Sequence, residues 1–376
     1  MTSLSASAQW TGKYKAGMNG GHEWNIFLNP PSVQTEDATL RRNDLWINGY
    51  FSEFFVNADF KKNTKDGRLK WGTALSGAVY SSTINANRHS YKLYGSYRKK
   101  YAPRKYFEFA PEFLRTKRQG VNDNDAVLAT PFSYTRFTLP FKLDFYRGNL
   151  SWLKTAFGYR YKAYDQTNTG SISYHAGFAG LDLSKKWRKN QVETKLTFST
   201  NLEVRAYRDS TREFEEFDPD DFDPEDREEA DELDIETRLW TYVSNDLVYE
   251  IKPLKRPYEL SFGLYTTLRL DRDQRNAYRE WAPGISGGWD LEKVKLRGSL
   301  RYVNRSYPNR QVGESESPLT YQFVRASVQA EVPLTDHWDF RIRGNMINRK
   351  SSNTARTRAF RGYFNSLVEV GVVLKL

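Results

Sequence analysis

Along this chain apolar and polar positions alternate with period two. Leu4, Ala6, Ala8, Trp10, Gly12 and Tyr14 interleave with Ser5, Ser7, Gln9, Thr11, Lys13 and Lys15. The alternation returns in Phe137, Leu139, Phe141, Leu143 and Phe145 against Arg136, Thr138, Lys142 and Asp144. It returns again in Leu196, Phe198 and Leu202, and in Leu260, Phe262, Leu264, Leu268 and Leu270. A helix would mix these two sets on one face, whereas a strand sends them to opposite faces. No amphipathic helix is expected. The pattern predicts an all-β chain of about 16 strands, near 3–17, 43–60, 68–83, 90–99, 105–116, 133–146, 150–164, 171–184, 191–207, 236–251, 258–271, 279–291, 294–306, 320–333, 337–349 and 358–376.

Many of these runs exceed the length usual in soluble sheets and suit tilted membrane strands with extensions. The connections alternate as well. Those after even-numbered strands are short, such as KYAPR and RGN, while those after odd-numbered strands include 18–42, 117–132, 208–235, 307–319 and 350–357. Such alternation is the mark of an up-and-down meander with turns at one end and loops at the other. On these features all 376 residues resemble a bacterial outer-membrane β-barrel, a single closed antiparallel transmembrane domain over 1–376. The resemblance implies an outer-membrane location, with short turns in the periplasm and long loops outside. Barrels of this kind often end on an aromatic assembly signal, whereas the last residue here is Leu376, so either the family differs or the signal lies further in, near Phe364. Because the first run begins at Leu4, Met1 is expected to follow removal of a leader or an upstream domain.

Composition narrows the function. Zero cysteines exclude a disulfide scaffold, a cysteine nucleophile and thiolate metal sites. No apolar run reaches the length of a spanning helix. Aromatics at 15% are too many for a disordered polycation. Ten of them, Trp10, Tyr14, Trp71, Tyr97, Tyr159, Tyr161, Trp281, Trp289, Tyr302 and Trp338, fall toward strand ends, as interfacial girdles do.

With the apolar rows against lipid, the polar rows line a lumen, and their charge is biased. Lys154, Arg160, Lys162, Arg269, Arg297, Arg301, Arg305, Arg341 and Arg343 are the expected pore-lining bases, with Arg325 and Arg349 on the same register. Inward acids are fewer, among them Asp144, Glu203, Glu259 and Asp339. Fixed positive charge in a narrow wall concentrates anions and excludes cations. Lumenal packing, with bases paired to acids on neighbouring strands, is the competing expectation.

The formal charge is +11, yet residues 213–236 hold 15 acidic residues and one arginine, so the remaining chain is far more basic than its total. Three readings of this acidic segment stay open. It is a solvated loop, a gate folding against the basic lumen, or a divalent-cation site at Asp218, Asp220, Asp221 and Asp223, although the EF-hand spacing and its glycine are missing. Basic residues also crowd the short turns, at Lys61, Lys62, Lys65 and Arg68, at Arg98, Lys99, Lys100 and Arg104, and at Lys185, Lys186, Arg188 and Lys189. Anionic lipid headgroups or an acidic periplasmic protein would suit them.

Nothing points to chemistry. There is no HExxH, no GxSxG and no glycine-rich phosphate loop, and the four histidines are scattered. No enzyme, cofactor or resident metal is expected, and no nucleic-acid partner, because the bases follow a strand register rather than a patch. The expected function is an outer-membrane porin whose basic lumen passes small anionic solutes or acidic saccharides. The alternatives are a barrel domain of a polysaccharide or lipoprotein export system, and a non-conducting scaffold.

Overall fold

The computed structural model describes residues 9–26, 32–34, 39–81, 86–118, 133–147, 151–165, 173–207, 238–271, 277–312, 317–352 and 362–376. Sixteen antiparallel strands form one sheet: β1 (Trp10–Trp24), β2 (Gly49–Asn63), β3 (Gly67–Tyr80), β4 (Arg88–Ala102), β5 (Lys105–Phe109 and Glu112–Arg118), β6 (Tyr134–Arg147), β7 (Ser151–Tyr164) and β8 (Tyr174–Lys189). The rest are β9 (Val192–Tyr207), β10 (Arg238–Pro253), β11 (Tyr258–Asp271), β12 (Tyr278–Asp290), β13 (Lys295–Val312), β14 (Ser317–Pro333), β15 (Trp338–Ser351) and β16 (Tyr363–Lys375). Each strand pairs with its neighbours in sequence, and β16 returns to β1 over Lys15–Trp24 against Lys375–Ser366, so the sheet closes without an edge. A two-stranded ribbon, Ser32–Gln34 with Thr39–Arg41, and a one-turn helix, Arg42–Leu45, precede β2. No helix among the described residues is long and apolar enough to cross a membrane; the strands do that.

Strand β5 breaks at Ala110–Pro111, opposite Pro140 of β6. Neither proline has an N–H to give the ladder, so the pairing is interrupted there while the register on both sides runs on unchanged. The first strand runs over 10–24, not 3–17. Gly17, Gly20 and Gly21 blur its alternation, but the inner face needs Gly17 and Gly21: a Cβ at Gly17 would lie 2.5 Å from the Phe55 ring. Strand β4 extends to Ala102 because its turn contracts to Pro103–Arg104, with Arg104 at a φ of 61°. Between β8 and β9, Asn190 and Gln191 take consecutive positive φ of 48° and 63°, which matches the twist of a two-residue hairpin.

The outward rows are apolar and exposed, for example Phe54, Leu75, Leu93, Phe157 (51% exposed), Leu202, Leu264, Leu300 and Val370. At the short-turn end Trp10, Trp71, Tyr97, Trp289 and Trp338 also point outward, and at the loop end Tyr159 and Trp281 do. An exposed apolar belt with aromatic rims would be an aggregation liability in water and is the expected surface in a bilayer. Above the belt, Arg115 holds Asp165 through two hydrogen bonds of 2.6 Å and keeps its carboxyl below the usual range. That contribution is complete above the ordinary carboxylate pKa and vanishes as acid carries the pH through the lowered one. Melting followed against pH should lose this part of its acid dependence in Arg115→Met.

Candidate functional site

The inner face divides into two storeys. In the outer storey, toward the long loops, cations sit between aromatic rings on successive strands. Arg205 of β9 lies 4.8 Å from the Tyr174 ring of β8 and 4.1 Å from Tyr242 of β10. Arg269 of β11 lies 4.5 Å from Trp240 and 4.6 Å from Tyr278 of β12. Arg305 of β13 shares Tyr278 at 4.4 Å, and Arg349 of β15 faces Tyr321 at 4.0 Å. Lys162 of β7 opens the series, 4.2 Å from Tyr134 and hydrogen-bonded to Tyr164. Guanidinium over a ring is favourable, the more so when desolvated, and this storey is desolvated: Arg269 is 1% exposed and Trp240 2%. A second packed cluster, Phe51, Ala78, Tyr80 and Leu367, occupies the same level across the β16–β1 seam.

The inner storey is polar and hollow. A cavity of about 830 Å³ runs up from the short-turn mouth past Trp152, Lys195, Glu250, Arg297 and Arg343. It continues into a recess of about 340 Å³ lined by Ser261, Tyr265, Ser299, Arg301, Arg325 and Ser327. Small side chains leave the space: Gly263 and Gly284 lie in the same wall, and Ser299 and Ser327 share a 2.7 Å hydrogen bond.

All nine expected pore bases face inward, and five are engaged by acids. Arg160 and Arg205 both meet Glu203 at 2.6 Å. Arg297 meets Asp290 at 2.7 Å and Arg305 meets Glu280 at 2.9 Å. Arg343 bridges Glu369 at 2.8 Å and Glu53 at 3.5 Å, and Arg341 stands 3.7 Å from Glu369. Arg269 and Lys162 belong to the desolvated storey. Lys154 lies between Asp144 and Asp182 in register without an ion pair among the described residues. Arg301 stacks on Tyr265 at 3.9 Å and stands directly opposite Arg325 on the next strand. Neither has a carboxylate within ion-pair distance among the described residues, although Asp246 feels the Arg301 charge.

Glu203 is nearly buried between its two arginines. Glu203→Gln leaves two lumenal guanidiniums with one neutral acceptor, so thermal stability should fall by roughly 1–2 kcal/mol, less than for a fully buried pair. A thermal melt in detergent reads this directly.

Several participants escaped the sequence reading. The sequence reading placed its aromatics in interfacial girdles, whereas the outer storey is built from inward ones. Glu369 lies in a strand that reads as apolar, yet it is 1% exposed and anchors two arginines. Asp218, Asp220, Asp221 and Asp223 lie outside the described residues, with the whole of 213–236. Among the described residues no three His, Asp or Glu side chains converge as a metal site requires. His175 packs on Tyr159 and Tyr161, and His22 on Trp24 and Tyr50.

Closure, the outward belt and the turn–loop asymmetry settle the class. The chain is a closed transmembrane β-barrel. No protein-family model matches it, and no curated protein sequence does. Among solved structures it is similar to the outer membrane channel DcaP of Acinetobacter baumannii, at 10% identity over 99% of this chain and 98% of that one, with a TM-score of 0.47. It is also similar to OccAB3 of the same organism, at 9% identity over 97% and 99% of the two chains, with a TM-score of 0.46. An anion-selective porin from Comamonas acidovorans aligns at 9% identity over 98% and 100%, with a TM-score of 0.44.

Proposed function

We propose that this barrel is an outer-membrane channel whose inner half favours anions and passes small anionic solutes, carboxylated sugars among them. The observation that carries the reading is the Arg301–Arg325 pair beside a hollow recess. Like charges directly opposite one another destabilise a sheet, and here no carboxylate lies within ion-pair distance of either among the described residues. Their benefit lies in what they attract: guanidiniums bind carboxylates in two-pronged fashion, and the Ser299 and Ser327 hydroxyls suit a polyol. The function needs no covalent chemistry, so the residues act by charge and shape.

In this reading the acidic segment 213–236 regulates the pore, its 15 carboxylates answering the lumen's excess of bases. Liposome swelling tests the proposal with two solutes of similar size. Glucuronate should enter faster than glucose, and deletion of 213–236 should speed both. Equal rates, or faster glucose, would contradict anion preference. The desolvated outer storey favours a second reading, a barrel that serves export or surface assembly and stays shut by itself. Absence of swelling with either solute, before and after the deletion, would select it.

A further inference from the structure

At the short-turn mouth a separate cavity of about 670 Å³ opens between two hairpin turns, residues 64–66 and 103–104. Arg68, Arg98, Lys100, Arg104, Tyr106 and Tyr146 line it. Arg68 and Arg98 stand directly opposite each other on β3 and β4, a like-charge pairing that the sheet tolerates at a cost. Asp144 answers Arg98 at 2.6 Å, and the same guanidinium stacks on Tyr106 at 4.3 Å. Arg68, Lys65 and Lys100 make no ion pair among the described residues, and Asp66 is the one acid on the turn itself.

Two further observations mark this as a built site. The turns are tied to their neighbours: the Lys100 amide donates to the Asp66 carbonyl at 2.8 Å, and the Tyr146 amide to the Arg104 carbonyl at 3.0 Å. Arg104 itself occupies the left-handed region, with a φ of 61°, directly after Pro103. Glycine or asparagine is the ordinary occupant of that turn position. A non-glycine residue there costs of order 1 kcal/mol. The chain holds a guanidinium at the mouth against its backbone preference.

We infer that this cavity is the docking site for an acidic polypeptide segment presented from the periplasm. Its lining side chains lie on the inward register, so it opens into the barrel mouth and away from the lipid leaflet that the sequence reading also allowed. Its volume is in the range of ligand and peptide pockets, far larger than one phosphate needs. Separated guanidiniums backed by Tyr106 and Tyr146 suit successive carboxylates along an extended chain. The inference is independent of what the pore conducts.

Fluorescence anisotropy with labelled hexaglutamate and the intact, detergent-solubilised protein at low salt tests it. Saturable binding is expected, weakened about tenfold by Arg68→Ser combined with Arg104→Gly. Arg104→Gly also relieves the strained turn, so its thermal midpoint should hold or rise, which separates lost affinity from lost folding. No binding, or unchanged binding in the double variant, overturns the inference. Loss that instead follows Arg301→Ser with Arg325→Ser moves the peptide into the lumen and also overturns it. Phosphatidylglycerol in mixed micelles displacing the peptide as well as unlabelled hexaglutamate does would make this a headgroup site, and the inference falls.

Discussion

With Arg301 and Arg325 both changed to aspartate, a channel that favours chloride is expected to favour potassium. Both guanidiniums line the recess, and neither is neutralised by a carboxylate at ion-pair distance among the described residues. A unit charge about 7 Å from a passing ion contributes roughly 0.6 kcal/mol even at the dielectric constant of water, about threefold in local concentration. Two arginines together give about sevenfold, and two aspartates reverse the sign. Salt screens the effect, so it should be largest near 0.1 M and nearly gone at 1 M. Arg297→Gln with Asp290→Asn is the natural comparison: it removes an ion pair whose charges already cancel, so that change should move selectivity far less. Reversal potentials across planar bilayers measure all three proteins. If the double aspartate variant keeps the parent's preference, the recess is not where selectivity arises.

The largest effect on folding is expected at the seam. Gly371→Val should abolish the closed barrel. A Cβ at 371 would press into the Met18 carbonyl and the Asn19 amide oxygen, and would stand 2.7 Å from the Asn19 Cα on the facing strand. Backbone cannot step aside there without breaking the β1–β16 ladder. Asn19 and Glu369 are both buried at this spot, within the network of Glu53, Arg341 and Arg343. Overpacking of this kind exceeds the usual 1–3 kcal/mol because the obstacle is main chain, and more than about 4 kcal/mol is a large share of a barrel's margin. Gly177→Val is the control: it faces outward on β8, where a Cβ meets nothing within 4 Å. The share of protein migrating as the compact unboiled band on a gel should collapse for the first and stay near the parent's for the second.

Much of this barrel was legible because its information is local. Alternation needs only residues two apart, so Phe137 through Phe145 announces β6 and its lipid face without any partner. The strand number and the inward register followed from such runs. Glycine-rich stretches defeated the same reading at Gly17–Gly21, where the missing side chains answer rings and carbonyls that come from β2 and β16. What the lumen bases do was not legible, because pairing depends on cross-strand register. Arg305 and Arg301 lie four residues apart with the same orientation, yet one meets Glu280 of β12 and the other meets Arg325 of β14. A partial signal for the outer storey did exist. Lys162-Ala-Tyr164, Arg205-Ala-Tyr207 and Arg305-Ser-Tyr307 each place a cation and a ring on one face near the loop end of a strand. Glu369 gave no such sign among its valines.

The most direct test is the reversal potential of the intact protein in a planar bilayer under a potassium chloride gradient. An open pore that carries chloride in preference to potassium is the predicted result. A potassium-selective pore, or no current from either the intact protein or the variant lacking 213–236, would contradict the anion-channel reading.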